Sequence, residues 1–300
     1  MIAPPAVRRG FVDIAEGQVH YRHAGDGARP LVMFHASPGS SRGLVPLMRE
    51  FAASRRVVAL DTLGNGDSDA PAVATPDIAY LADAHLRALD ALRIDAFDLY
   101  GSHTGGNIAC EIAIRRPDRV GRLVLDGMSV YEADEQRDLL ANYAQEIPID
   151  LEGSQFARVW NFVRDAYLFW PWYRRDAAHV RDVGLPPAAV LHDKAVEVLK
   201  ALRTYHMSYR AALAYPKTAR LPLVRTPTLL VCARSDMLLR YVDKVLALLP
   251  MARYQLTPGA NTPEDAAATT RIIAAYLDEG GGNGDAATAR HQRQPKDNDA

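Results

Sequence analysis

The chain has 300 residues, 48% hydrophobic and 24% charged, which suits one large α/β domain or a domain carrying an insertion and excludes disorder as its main theme. With 35 Lys and Arg against 36 Asp and Glu, the net charge of −1 provides no long-range field for capturing nucleic acid or an anionic membrane. The two cysteines, Cys110 and Cys232, make neither a disulfide framework nor a zinc site, the opening MIAPPAVRRG lacks a signal-peptide core, and no run is long and apolar enough to span a bilayer, so a cytoplasmic protein is expected.

In chain order, residues 11–23 centre on Glu16-Gly17 and predict an antiparallel hairpin at a sheet edge. Short β-branched runs follow at 31–35, 56–61, 96–101, 122–126, 228–233 and 253–256, alternating with helical patterns such as 78–92. That alternation predicts an α/β fold with a mostly parallel, doubly wound sheet. It breaks once. Residues 129–224 carry helical patterns rich in aromatics and no strand-like run, which predicts a helical cap inserted between two halves of the core, 1–128 and 225–278. All three tryptophans lie in VWNFVRDAYLFWPWY. They are expected to form mainly the cap's own core, with Trp160 and Trp170 as candidates to line a substrate cavity. Residues 279–300 are glycine-rich and almost free of large apolar residues, and predict a disordered tail.

In an open parallel sheet the chemistry belongs in the loops at the carboxyl ends of the strands. Three such loops stand out: His35-Ala36-Ser37-Pro38-Gly39-Ser40-Ser41, Asp61-Thr62-Leu63-Gly64-Asn65-Gly66-Asp67-Ser68-Asp69, and Gly101-Ser102-His103-Thr104-Gly105-Gly106. In that order they resemble the α/β-hydrolase superfamily, and within it the lidded branch of haloalkane dehalogenases, epoxide hydrolases and C–C bond hydrolases, over residues 10–278. The resemblance implies that HASPGSS is the loop whose third position, Ser37, donates a backbone N–H to an oxyanion. It implies that DTLGNGDSD is a structural turn and that GSHTGG is the nucleophile elbow, with Thr104 N–H as a second oxyanion donor. His35 is expected to support the first loop.

The elbow position that in the family holds Ser, Asp or Cys is His103, and Ser102 stands one residue too early to replace it. The family's acid after the penultimate strand is present as Asp236, and Asp126 ends the strand before the insertion, where some lidded dehalogenases carry theirs. The loop after the last strand, Pro258-Gly259-Ala260-Asn261-Thr262, has no histidine. A Ser-His-Asp triad in its usual form is therefore unavailable. The residues instead suggest His103 as a general base, kept neutral by the positive end of the following helix and oriented by Asp236 or Asp126. His206, in TYHMSYR, reads by default as a satisfied cap histidine and is the one other histidine that is a candidate to reach the cavity. His85 reads as a surface or packing residue, and His20 and His23 lie on the edge hairpin, far from the site in this architecture.

No metal or cofactor is expected, since no histidines are spaced i, i+4 and GSHTGG lacks dinucleotide-binding spacing. Three functions stay open. The first is hydrolysis of a small, largely apolar ester, lactone or activated carbonyl compound. The second is lyase or isomerase chemistry by proton abstraction, and the third is a ligand-binding pseudo-hydrolase. A monomer or homodimer acting on a small molecule is expected in each case.

Overall fold

The computed structural model describes residues 5–279. The expected tail, 279–300, lies outside the described residues except for Glu279. The strands are β1 (Arg8–Ile14), β2 (Gly17–Ala24), β3 (Leu31–Phe34), β4 (Val57–Leu60), β5 (Phe97–Ser102), β6 (Val120–Asp126), β7 (Thr228–Ala233) and β8 (Arg253–Thr257). They form one sheet in the order β1-β2-β4-β3-β5-β6-β7-β8. The pairs β1–β2 and β2–β4 are antiparallel and the other pairs are parallel.

The residues of each central strand alternate between two cores, as the two-residue period of a strand requires. Val32, Phe34, Val58, Leu60, Leu99, Leu123, Leu125 and Leu230 face one layer. Leu31, Met33, Val57, Ala59, Tyr100, Val124 and Val231 face the other. The first layer is built on α2 (Ile78–Ala91), α3 (Thr104–Arg115) and α9 (Val242–Leu248), and the second on α1 (Val45–Phe51) and α10 (Pro263–Asp278). Both faces being covered explains why these strands read as continuous apolar runs. Helix starts follow local chemistry. Asp77 caps α2 by accepting from Tyr80 N at 2.7 Å, and Thr262 with Pro263 opens α10.

Between β6 and β7 the chain forms α4 (Ala133–Asn142), α5 (Ser154–Leu168), α6 (Ala188–Lys200), α7 (Tyr205–Ala214) and α8 (Lys217–Arg220). A single bridge between Phe169 and Val180 interrupts them. These helices carry two small cores, one on Val159, Phe162, Leu191, Val198 and Tyr205, the other on Leu139, Tyr143 and Leu213. Among the described residues no helix is long and apolar enough to cross a membrane.

The order of the strands decides where a site can form. Successive connections from β3 run first to β4 on one side and then to β5 on the other, so the strand order reverses between β3 and β5, the point at which open sheets of this kind place their sites. Ser37 follows β3 and His103 follows β5.

Candidate active site

His103 lies on the turn between β5 and α3 with φ 49 and ψ −106, a conformation that costs a side-chain-bearing residue about 1–3 kcal/mol and persists only where the surroundings enforce it. They do so here by close backbone packing. His103 N–H donates to Asp126 O at 2.9 Å, and Gly105 N–H donates to His35 O at 3.1 Å. A Cβ on Gly105 would stand 2.3 Å from Phe34 O, so α3 sits directly on β3 only because that position carries no side chain.

The turn aims the imidazole at the next loops of the sheet. His103 Nε2 lies 2.7 Å from Asp236 Oδ2, and the two side chains are 30% and 12% exposed. Asp236 is held from its other oxygen, Oδ1, which accepts from Leu238 N at 2.8 Å. The room for this pair comes from Gly127, at φ +69, where a Cβ would meet His103 Nε2 at 2.5 Å and Asp236 Oδ2 at 2.8 Å. Gly127 follows β6 directly, and sequence reasoning passed over it. Its signal was a glycine immediately after Asp126 at a strand end.

Of the two acids, the structure brings Asp236 to His103. Asp126 instead accepts from Tyr100 OH at 2.5 Å. Both Asp126 and Tyr100 occupy the second face of the sheet, so Asp126 points beneath the turn and offers His103 its backbone carbonyl. Burial pushes the Asp126 carboxyl up to about 6, against the lowering effect of the Tyr100 bond.

The expectation of a neutral, helix-depressed imidazole is corrected. Burial does disfavour the cation, but the Asp236 carboxylate in direct contact, with Asp126 behind it, holds the His103 pKa above the usual histidine value. Asp236 is correspondingly held below the usual carboxylate range: burial opposes this, and His103, the Leu238 N–H and Arg181 prevail. A carboxylate 2.7 Å away outweighs the partial charge of a helix end.

Ser37 and Thr104 are both buried, and among the described residues neither backbone N–H donates to another group. Ser37 Oγ is hydrogen-bonded to Ser208 Oγ of α7 at 2.8 Å, a contact not anticipated from the sequence. His35 is buried behind this loop with its tautomer fixed: Nδ1–H donates to Ala36 O at 2.9 Å, and Nε2 accepts from Thr62 N at 3.0 Å. His85 packs on Phe34 with ring centroids 4.5 Å apart, and burial lowers its pKa to about 3. His20 is buried against Asp61 at 2.8 Å. Together with Asp67 these two groups cluster within metal-binding range, but Lys200 Nζ already serves Asp67 at 2.5 Å, and Asp61 accepts from Ser41 N and Asp67 N besides His20. That cluster reads as the hydrogen-bonded hub of the turn after β4.

Of the expected lining residues, Trp160 is 39% exposed and stands outside the buried face of α5, which is formed by Val159, Phe162 and Val163. His206 lines a groove of about 1080 Å³ between α2, α3 and α7, beside Glu146 at 3.5 Å. The reason is helical spacing. Ser208 faces Ser37, and a residue two positions earlier on an α-helix points to the opposite side. Trp170 packs on Tyr143, with ring centroids 5.4 Å apart, in the aromatic cluster that also holds Tyr131, Tyr173 and Tyr209.

A family model described as alpha/beta hydrolase fold matches residues 29–261. The 2-hydroxymuconate semialdehyde hydrolase of Pseudomonas sp. (strain CF600) is 42% identical over 120 residues, a match spanning 38% of this chain and about two fifths (41%) of that relative's length. A putative carbamate hydrolase of Rhizobium rhizogenes is 29% identical over 73% of this chain and 79% of its own. Among solved structures, the enol-lactonase of Burkholderia xenovorans LB400 superposes with a TM-score of 0.69 at 18% identity, covering 89% of this chain and 99% of that one, which speaks to the fold alone. With its eight-stranded sheet and a family match over most of its length, this chain belongs to the alpha/beta hydrolase family.

Proposed function

We propose that this protein hydrolyses a small, largely apolar ester, lactone or similarly activated carbonyl compound, with His103 as general base and Asp236 as the group that orients it. The observation that carries this reading is the 2.7 Å contact between His103 Nε2 and Asp236 Oδ2 at a strained turn between β5 and α3. A carboxylate on Nε2 fixes the proton there and leaves Nδ1 as the basic nitrogen. The direct contact also accounts for the empty histidine position after β8: the imidazole at position 103 fills the space between the turn and the acid.

In the proposed cycle a water molecule gives a proton to His103 Nδ1 as its oxygen bonds to the substrate carbonyl carbon. The carbonyl electrons move onto the oxygen, and the backbone N–H groups of Ser37 and Thr104 receive that oxyanion. Collapse expels the alkoxide, which takes the proton back from His103, so one water is consumed and the enzyme returns unchanged. A positioned base contributes typically 10²–10⁴-fold and each oxyanion donor about 3 kcal/mol. Asp236 stays ionised throughout, because its pKa is lowered. The raised His103 pKa means that activity increases with pH through a value above 6.5.

The relatives support carbonyl hydrolysis as the reaction class, two of them being named as hydrolases of a semialdehyde and of carbamate. The aromatic cluster of Tyr131, Tyr143, Trp170 and Tyr209, beginning five residues beyond the end of β6, supports a substrate with an apolar body. Turnover of p-nitrophenyl esters and lactones in ¹⁸O-labelled water tests the reading. Label in the product carboxylate is expected, with no labelling of any serine by a fluorophosphonate. Turnover without the label would move the chemistry to proton abstraction, and a labelled serine would move the nucleophile away from position 103.

A further inference from the structure

The contact between Ser37 and α7 joins the strand-end loops to the helical segment at the point where an oxyanion donor is proposed. Ser37 stands in a tight turn closed by Gly39 N–H donating to Ala36 O at 3.0 Å. Among the described residues the one hydrogen bond of its side chain is to Ser208 Oγ, at 2.8 Å. Ser208 is fixed in turn, since its hydroxyl accepts from Asn65 Nδ2 at 3.1 Å. All three residues are buried, with Ser208 and Asn65 each 1% exposed. A buried hydroxyl bonded to Ser37, Asn65 and the Tyr205 carbonyl is costly to disturb, because losing it leaves polar groups without water or protein to satisfy them.

The same stretch of chain is fastened to the same loops by further contacts. Thr204 Oγ1 donates to Gly64 O at 2.6 Å, Lys200 Nζ reaches Asp67 at 2.5 Å, and Arg42 reaches Asp193 at 2.9 Å. The two ion pairs are partly exposed and worth little. The Ser208 contact differs from them in being buried and in ending on Ser37 itself.

We infer that Ser208 is a positioning residue for the Ser37 oxyanion donor, so that α7 sets the geometry of the strand-end loop on which turnover depends. This rests on the proposed function, since it assumes that Ser37 N–H receives an oxyanion. Among the described residues Ser208 makes no hydrogen bond to His103 or Asp236, so its effect falls on the held oxyanion and leaves the base alone. In Ser208→Ala the loop loses its anchor on residue 37 while the helix backbone is unaltered.

The experiment compares wild type, Ser208→Ala, Ser208→Thr and His103→Ala by amide hydrogen exchange and by turnover of the p-nitrophenyl ester panel. Expected in Ser208→Ala are exchange at Gly39 and Ser41 faster by about tenfold or more with α7 protection retained, and kcat lowered about tenfold with KM within about twofold. The pH dependence should be unchanged, and Ser208→Thr should restore both exchange and kcat. Wild-type exchange at Gly39 and Ser41 in Ser208→Ala would overturn the inference whatever the turnover shows. Faster exchange with wild-type kcat, while His103→Ala is inactive, would overturn the catalytic part of the inference and leave the His103 reading standing. Full activity in His103→Ala would overturn the proposed function, and the exchange data would still decide whether Ser208 anchors the loop.

Discussion

Replacing Asp236 by Asn reverses the balance of forces on His103. Two influences act on the imidazole in opposite directions: burial, the larger single one, favours the neutral form, and the Asp236 carboxylate favours the cation. With Asp236 and Asp126 both acting, the pKa lies above 6.5. With the carboxylate at 2.7 Å neutralised, burial prevails, and the His103 pKa in Asp236→Asn should fall below 6.5. The side chains are 30% and 12% exposed, which puts the pair between exposed ion pairs, worth less than about 1 kcal/mol, and fully buried ones, whose disruption costs about 3–5 kcal/mol. About 2 kcal/mol is expected for this pair. The stability it confers has a defined pH window. The raised His103 pKa contributes fully below 6.5 and its contribution is lost as pH rises through the folded value. The lowered Asp236 pKa contributes above 3.8 and its contribution is lost as pH falls through the folded value. Wild type should therefore exceed Asp236→Asn most between pH 4 and 6.5, by about 2 kcal/mol in urea unfolding, with a smaller margin at high pH. Histidine ring NMR of the two proteins reads the pKa directly. A His103 pKa still above 6.5 in Asp236→Asn would refute the assignment of Asp236 as the dominant partner.

Gly127→Ala should uncouple activity from stability. The new methyl meets His103 Nε2 at 2.5 Å and a left-handed backbone costs an alanine about 1–2 kcal/mol, so kcat should fall at least ~10²-fold while unfolding free energy drops by only a few kcal/mol. Asp126→Asn has the opposite sign in stability. The Asp126 carboxyl rises from 3.8 to about 6 on folding, so its ionisation opposes the fold as pH increases through that interval, and the variant should be more stable than wild type at pH 8 by an amount up to about 3 kcal/mol. Urea melts at pH 4 and pH 8 check this, and an equal or lower stability at pH 8 would contradict it.

The sheet was legible because its strands alternate with helices and carry apolar residues on both faces, so period, length and turn residues agree. The predicted strand at 228–233 coincides with β7, and the others differ from the observed elements by one or two residues at their ends. The position of His103 was legible from the glycines around it, whose small size the packing of α3 on β3 requires. The choice between Asp236 and Asp126 was not, because it turns on which face of β6 its last side chain occupies, and that follows from the register with Tyr100 and Ser102. Nor was the sign of the His103 shift, which depends on a contact spanning more than a hundred residues of sequence. The helical segment was legible as helices but not in its directions. Trp160 and His206 were candidates to face a cavity, and a rotation of two positions along a helix separates His206 from Ser208, the residue that does reach the strand-end loops.

The proposed mechanism turns on His103 as the base. The most direct measurement is kcat for the best substrate in the ester and lactone panel, taken for wild type and His103→Ala at pH 8, with circular dichroism confirming that both are folded. With His103 as the base, the variant should lose at least ~10²-fold, the usual contribution of a positioned general base. Turnover in His103→Ala equal to that of wild type would contradict it.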